Sequence, residues 1–320
     1  MARAFNTTKL IRSIKRKAMI PEDQDTFDTE DFIEMINEEI QSSALPHLLT
    51  VHEEYLVYSI DIPFVEGQQA YRIPSRSVGN RLRDLHFVDS EGDIIREASR
   101  ISLEELPDYK YNNDSTYTGL FYVKNNKVVI VGSAPQNDAS LRMYFYLSPS
   151  EVVEVSRTST VNSIDRVNGL ISLSSFPSEF STSVSFDFVS SKNPNNVIDF
   201  DVSITSTDNV TKTITLDPDN ISDDLEVGDY VCLPEESPVP QLPSELHSTL
   251  VQRVAISCLE ALSDSEGLSL AQRKLMENER NTWDLVDNRV EGANQKMNNR
   301  HGTLAQASTS PSYERTKINN

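Results

Sequence analysis

The feature that most constrains the fold of this chain is a pair of consecutive amphipathic helices, predicted over residues 242–290. In the first helix an apolar side chain recurs every four residues. These side chains are Leu246, Leu250, Val254 and Cys258. Further apolar residues lie beside this row, so one wide side of the helix is predicted to be buried. Ser263 and Glu266 have the spacing of a capping box and predict the start of the second helix.

Two shorter amphipathic helices are predicted near the amino terminus. The apolar residues within 8–18 have helical spacing and predict the first of them. Asp28 is a suitable N-cap for the second, which is expected to end near Ser43. Pro46 suits the first position of one more helical turn.

The first of these helices carries the densest basic segment of an acidic protein. Its basic residues are Lys9, Arg12, Lys15, Arg16 and Lys17. The whole chain has 29 Lys and Arg against 49 Asp and Glu, a formal net charge of −20. The basic helix indicates either a docking arm for an acidic partner surface or for phosphate, or an ordinary solvated face that packs on the protein's own acidic body. Both interpretations stay open at this point.

The overall acidity argues against general nucleic-acid binding by neutralisation of phosphates. An acidic wall would instead let DNA pass without sticking, although solubility alone is the simpler explanation. No apolar run approaches the ~20 residues that span a bilayer, and the amino terminus lacks the apolar region of a secretory signal. Cys232 and Cys258 are the only cysteines, which favours a reducing compartment at synthesis over a disulfide framework. Cys258 is expected to be a packed thiol.

Between the helical segments the residue pattern changes to that of strands. Residues 141–147 alternate in polarity, and Asn168-Gly169 carries the signal of a two-residue hairpin turn. Short strands separated by turn signals predict a sandwich or barrel. A proline-rich connector over residues 238–243 then leads back to the helices.

The sequence contains no catalytic motif, so we expect no enzyme activity, no catalytic residue, no cofactor and no metal. The five histidines are scattered, and glycine-rich phosphate-binding loops are hard to place with ten glycines. Asp187, Asp199 and Asp201 lie on predicted strands, where a calcium or sugar site is conceivable. A metal-dependent hydrolase built on these aspartates is the weakest of the functional hypotheses.

Two blocks of the sequence resemble head-to-tail connector (adaptor) proteins of tailed bacteriophages. They span residues 14–55 and 250–302 and together cover roughly a third of the chain. The phrases that carry the resemblance are Met19-Ile20-Pro21, Thr26-Phe27-Asp28-Thr29-Glu30-Asp31-Phe32, Asn37-Glu38-Glu39, Val254-Ala255-Ile256-Ser257-Cys258-Leu259-Glu260-Ala261-Leu262 and Asn288-Arg289-Val290-Glu291-Gly292.

Combined with the patterns above, the resemblance implies an α+β fold in three parts. Residues 1–50 and 240–291 would form a helical bundle, residues 51–238 a large inserted β-sandwich or barrel-like domain, and residues 292–320 an extended C-terminal arm. Many adaptors have a much shorter connection between the two helical blocks, so the inserted domain is a departure from the family.

The resemblance also implies a structural role in the virion. Adaptors assemble as a homo-oligomeric ring, commonly of twelve copies, beneath the portal protein. The expected place is the neck between portal and tail, after synthesis in the host cytoplasm. There the ring extends the channel, through which DNA passes without sequence-specific binding. Further expected partners are neck, tail or fibre proteins, with no membrane association.

Docking on the portal or on the next subunit is assigned to the polar C-terminal arm. Its candidate residues are Asn294, Lys296, Met297, Asn299, Arg300 and His301. An alternative from a different class is a β-rich tail or fibre-attachment binding module with helical anchors. The Ser/Thr-rich strand region over residues 151–235 supports that alternative.

Overall fold

Helices from the two ends of the sequence flank a long series of strands in the computed structural model of the chain. It describes residues 5–21, 26–51, 54–65, 67–107, 119–131, 139–192 and 197–286. The predicted α+β class is confirmed. The helices are α1 (Thr7–Lys17), α2 (Thr29–Glu39), α3 (Leu45–Val51), α4 (His247–Ala261) and α5 (Ser265–Val286).

The start of α2 is confirmed, whereas its predicted end is wrong. Asp28 caps the helix by accepting the Asp31 backbone N–H, and the Asp31 side chain accepts the Asp28 N–H in return. Beyond α2, one π-helical turn (Ile40–Ala44) joins it to α3 without a break, and the Leu45 N–H donates to the Ile40 carbonyl. Pro46 explains the wide turn, because its ring would clash with the carbonyl four residues earlier in a regular α-helix.

The helices from opposite ends of the chain share one hydrophobic core. It contains residues of α1, α2, α3 and α4, with Ala271 from α5. Its fully buried members include Leu10, Ile14, Phe32, Ile36, Leu48, Val254 and Cys258. The stripe predicted on α4 is therefore covered by helices about 200 positions earlier in the sequence. In contrast, α5 buries few of its apolar side chains in this core: Leu270 is 58% exposed and Met276 72% exposed.

The first strand region forms two sheets around one core. Its strands are β1 (Val57–Pro63), β2 (Ala70–Arg72), β3 (Ser77–Val88), β4 (Ile94–Glu97), β5 (Ser99–Arg100), β6 (Leu120–Lys124), β7 (Lys127–Val131) and β8 (Ser140–Leu147). One sheet has the order β1-β8-β3-β4 and the other β2-β7-β6-β5. Apolar side chains of both sheets pack together, among them Tyr71, Phe87, Phe121 and Met143.

The second strand region forms a seven-stranded sheet with a core of its own. The strands of this region are β9 (Glu151–Val152), β10 (Ser159–Asp165), β11 (Leu170–Leu173), β12 (Ser185–Val189), β13 (Val197–Ser203), β14 (Ser206–Asp208), β15 (Thr213–Thr215), β16 (Tyr230–Cys232) and β17 (Glu236–Ser237). The sheet order is β13-β12-β16-β10-β11-β15-β14, while β9 and β17 form a separate parallel pair.

The hairpin predicted at Asn168-Gly169 joins β10 to β11, although its loop has four residues rather than two, since Asp165 pairs with Leu170. The Asp165 carboxylate accepts the backbone N–H groups of Val167 and Asn168 and so stabilises the longer loop. Gly169 is required there because its φ is +69° and a Cβ would lie 2.1 Å from the Leu216 carbonyl oxygen.

Candidate functional site

The basic residues of α1 divide into two sets with different surroundings. Lys15 is half-buried, and its ammonium lies 5.4 Å from the centroid of the Phe32 ring on α2. Lys17 donates to the Ser248 carbonyl at 3.0 Å. Burial, with the nearby charge of Lys274, lowers the pKa of Lys17 to about 8. These two lysines thus serve contacts within the subunit.

The other three basic residues of α1 form an exposed row, which we call the basic face. Its members are Lys9, Arg12 and Arg16. They follow one another at i, i+3 and i+7, which places them on one side of a helix. Leu10 and Ile14 anchor the opposite side in the core with no exposed surface. Within the described part of the chain, no carboxylate forms an ion pair with any of the three.

A matching row of carboxylates lies on α2, and we call it the acidic face. Its members are Glu30, Glu34 and Glu38, all exposed and spaced by four residues. Among the residues described, none of the three forms an ion pair. Sequence reasoning missed this face, although the four-residue repeat of Glu opposite Phe32 and Ile36 was the available signal. Glu39, on a different side of α2, instead lies 3.7 Å from Arg253 of α4.

Side-chain hydrogen bonds fix α1 and α2 to the rest of the chain. The Thr7 hydroxyl is 2.6 Å from the Val153 carbonyl and 2.9 Å from the Pro238 carbonyl. The Asn37 side-chain amide donates to the Val152 carbonyl at 3.1 Å and accepts the Val152 N–H at 2.8 Å. Asn37 therefore binds the β9 backbone as a neighbouring strand would.

His247, at the start of α4, binds the amino-terminal end of the described chain. Its ring is fully buried. Nδ1 accepts the Phe5 N–H at 3.2 Å, so Nε2 carries the proton and donates to the Leu242 carbonyl at 3.1 Å. Burial lowers the pKa of His247 and favours this neutral form.

Asp187, one of the three aspartates considered for a metal site, binds protein groups instead. The Asp187 carboxylate accepts a hydrogen bond of 2.7 Å from Arg76 Nη1. It also accepts hydrogen bonds from the backbone N–H groups of Asp201, at 2.9 Å, and Glu235, at 3.1 Å. Arg76 thereby supplies the positive charge that a cation would have brought. Burial raises the pKa of Asp187, and Arg76 opposes that shift. Over the described residues, no group of three or more His, Cys, Asp or Glu is arranged to hold a metal ion.

Both cysteines are buried and free. Burial raises the pKa of Cys258 to about 11, and its Sγ lies 3.6 Å from Met35 Sδ in the helical core. Burial also raises the pKa of Cys232. The prediction of a packed thiol at Cys258 is confirmed, since a nucleophile would need a lowered pKa and access.

The docking residues predicted on the C-terminal arm all follow α5. Asn294, Lys296, Met297, Asn299, Arg300 and His301 lie outside the described residues. Their role in docking stays a prediction.

A cavity of about 300 Å³ lies where the first turns of α1 and α2 meet residues 154–156. Its lining includes Thr7, Thr29 and Glu154. The Glu154 carboxylate accepts a hydrogen bond of 2.8 Å from the Ser156 hydroxyl.

Comparison of the chain with protein-family models and with curated proteins gave no match. Among the described residues, no helix is both long and apolar enough to cross a bilayer.

Proposed function

We propose that this chain is a head-to-tail adaptor of a tailed bacteriophage. As a structural virion protein it would form a ring beneath the portal, extend the DNA channel and provide attachment for neck and tail components. The observation that carries the proposal is the core shared by helices from the two ends of the chain. The resemblance implies that arrangement, because adaptors build their helical part from both ends.

The sequence blocks that resemble adaptors correspond to the helices that share this core. The first block, 14–55, overlaps α1 and contains α2 and α3, and the second, 250–302, contains most of α4 and all of α5. The resemblance and the packing therefore support the same partition of the chain. We propose that residues 1–50 and 240–291 form the adaptor's helical bundle.

In this proposal the β region over residues 51–238 is an inserted, sandwich-like domain on the outside of the ring. Two four-stranded sheets around one core support a layered arrangement. The outer position would let the inserted domain contact capsid, neck or fibre proteins. The arm over residues 292–320 would insert against the portal or the next subunit.

Electron microscopy of the purified protein mixed with the portal of the same phage tests the proposal. We expect a ring on the tail-side face of the portal. If both proteins in the sample are folded and the portal particles carry no such ring, the adaptor function is contradicted.

The second candidate is a β-rich binding module of the tail or of a fibre attachment. The observation that favours it is that the seven-stranded sheet has a hydrophobic core of its own. A region with its own core can fold and bind a partner as a separate module. A chain truncated after Val290 separates the two candidates. The adaptor predicts lost portal docking with an unchanged β-type circular dichroism spectrum, whereas the module predicts that assembly is retained.

A further inference from the structure

We propose that the basic face of α1 docks on the acidic face of α2 in a second copy of this chain. The contact joins Lys9, Arg12 and Arg16 of one copy to Glu30, Glu34 and Glu38 of the other. This inference deepens the proposed adaptor function, because it assigns the contact between neighbouring subunits of the ring. Self-association itself requires no portal, so it is measured independently.

The two faces have matching size and opposite charge. Each lies on a helix of 11 residues and presents three exposed charges of one sign. At 1.5 Å per residue, the basic face extends about 10 Å and the acidic face about 12 Å along the helix axis. Three pairs can therefore form side by side when the helices lie alongside each other.

Neither face takes part in an ion pair within the described part of the subunit. The structure shows how closely α1 and α2 approach, since Lys15 of α1 contacts the Phe32 ring of α2. Nevertheless, the six charged groups of the two faces form no ion pair with any described residue. On a different side of α2, Glu39 pairs with Arg253 of α4, which also pairs with Glu279 of α5.

The overall charge of the protein makes the basic face the natural point of contact. Two copies that each carry a formal net charge of −20 repel one another, and the repulsion is weakest where a basic surface meets an acidic one. Five of the 29 basic residues of the chain are concentrated in α1. Few other segments offer a second copy a local positive potential.

Each copy carries one face of each kind, and this has a geometric consequence. A copy can bind one neighbour through its basic face and another through its acidic face. Such heterologous contacts form a ring when the rotation between neighbours closes. Exposed ion pairs are individually weak and screened by salt, so the association is expected to depend on concentration and ionic strength.

Sedimentation velocity tests the inference with charge-reversed variants of the full chain. One variant carries Lys9→Glu, Arg12→Glu and Arg16→Glu, and the other Glu30→Lys, Glu34→Lys and Glu38→Lys. At low salt, each variant alone should associate at least about tenfold more weakly than the wild type. A one-to-one mixture of the two should associate again, because the opposite charges are restored across the contact.

Two further variants control for folding and for net charge. Glu30 lies in the first turn of α2, where a lysine opposes the helix dipole, so Glu34→Lys with Glu38→Lys tests the acidic face without that cost. Arg100→Glu, Lys124→Glu and Lys127→Glu make the same charge change at exposed positions of the second four-stranded sheet and should associate like the wild type.

The outcomes distinguish this inference from the adaptor function. A monomeric wild type at low salt, unchanged association of the reversed variants, or a mixture that stays dissociated would each overturn the inference. If the reversed variants still form rings on the portal, the adaptor function stands and the inference fails. If the mixture is rescued but no ring forms on the portal, the inference stands and the adaptor function fails.

Discussion

Single buried polar residues connect parts of this protein that are far apart in sequence. Arg76 is the clearest case: it pairs with Asp187 across 111 positions, and its second terminal nitrogen donates to the Ser150 hydroxyl at 2.9 Å. Asp187 in turn accepts the N–H groups of Asp201 and Glu235, whose φ values are +55° and +67°. Non-glycine residues rarely adopt such angles, so this ion pair also holds two unfavourable backbone conformations.

Loss of Arg76 should therefore cost far more stability than loss of an exposed arginine. Arg76→Leu leaves the Asp187 carboxylate buried without its cation, and we expect a loss of about 3–5 kcal/mol in the free energy of unfolding in urea. Arg142→Leu is the matched control, since Arg142 pairs with Asp61 at the same 2.7 Å but in a partly exposed position. There we expect about 0.2–1 kcal/mol. Similar losses for both variants would contradict this account.

No sequence pattern predicts the Arg76–Asp187 pair. Asp187 was singled out as one of three aspartates on predicted strands, where a calcium or sugar site was conceivable although no metal was expected. Arg76 lies in a short turn before β3, with no periodicity that marks it as buried. Which charge compensates a buried carboxylate depends on packing across the fold, and local patterns carry no information about that.

At the scale of elements, local patterns predicted the start of α2 and the alternation of β8 correctly. The cap of α5 was predicted one residue too early, since Asp264 rather than Ser263 accepts the N–H of the first turn, from Gly267. Asp28 caps α2 as expected, because a cap depends only on neighbouring residues. The buried positions of β8 follow the predicted alternation at Leu141 and Met143. The π turn and the four-residue hairpin loop were missed. At both places the sequence is compatible with several backbone conformations, and local patterns do not distinguish them.

The Asn37 side chain makes two hydrogen bonds that attach α2 to β9. Asn37→Ala removes both hydrogen bonds to Val152, which is fully buried, and leaves its N–H and carbonyl groups without partners. We expect a loss of about 1–3 kcal/mol in the free energy of unfolding, measured by urea denaturation. Gln41→Ala changes an exposed amide in the adjoining π turn and should be nearly neutral. Equal effects would show that the Asn37 amide is not a structural link.

At the scale of the whole molecule, the amino-terminal end of the described chain contacts the start of α4. The apolar stripe of α4 was evident in the sequence, but the helices that cover it were identified only through the resemblance. The spacing of apolar residues predicts which side of a helix is buried, but it does not predict which other helices cover that side. The Phe5–His247–Leu242 contact was missed for the same reason, because His247 was one of five scattered histidines.

This contact predicts a pH dependence of global stability. The pKa of His247 is lowered in the folded protein from its ordinary value of 6.5, so the unfolded chain takes up the proton first. The free energy of unfolding should therefore fall as the pH decreases from 7.5 through 6.5 toward the folded-state pKa. His247→Gln has no proton to gain, and its stability should vary less over this range. Parallel profiles of the two proteins, from urea denaturation at several pH values, would refute the assignment.

The parallel pair of β9 and β17 has a consequence for how such a chain tolerates exchange of its parts. Glu151 and Glu236 face each other in this pair, so the polypeptide leaves toward the seven-stranded sheet and returns at adjacent points. Neighbouring strands lie about 4.8 Å apart, a gap that a loop of a few residues closes. The polypeptide therefore enters and leaves the whole sheet at one place. A different sheet inserted at this place must also supply a carboxylate where Asp187 lies, since Asp187 is the buried partner of Arg76.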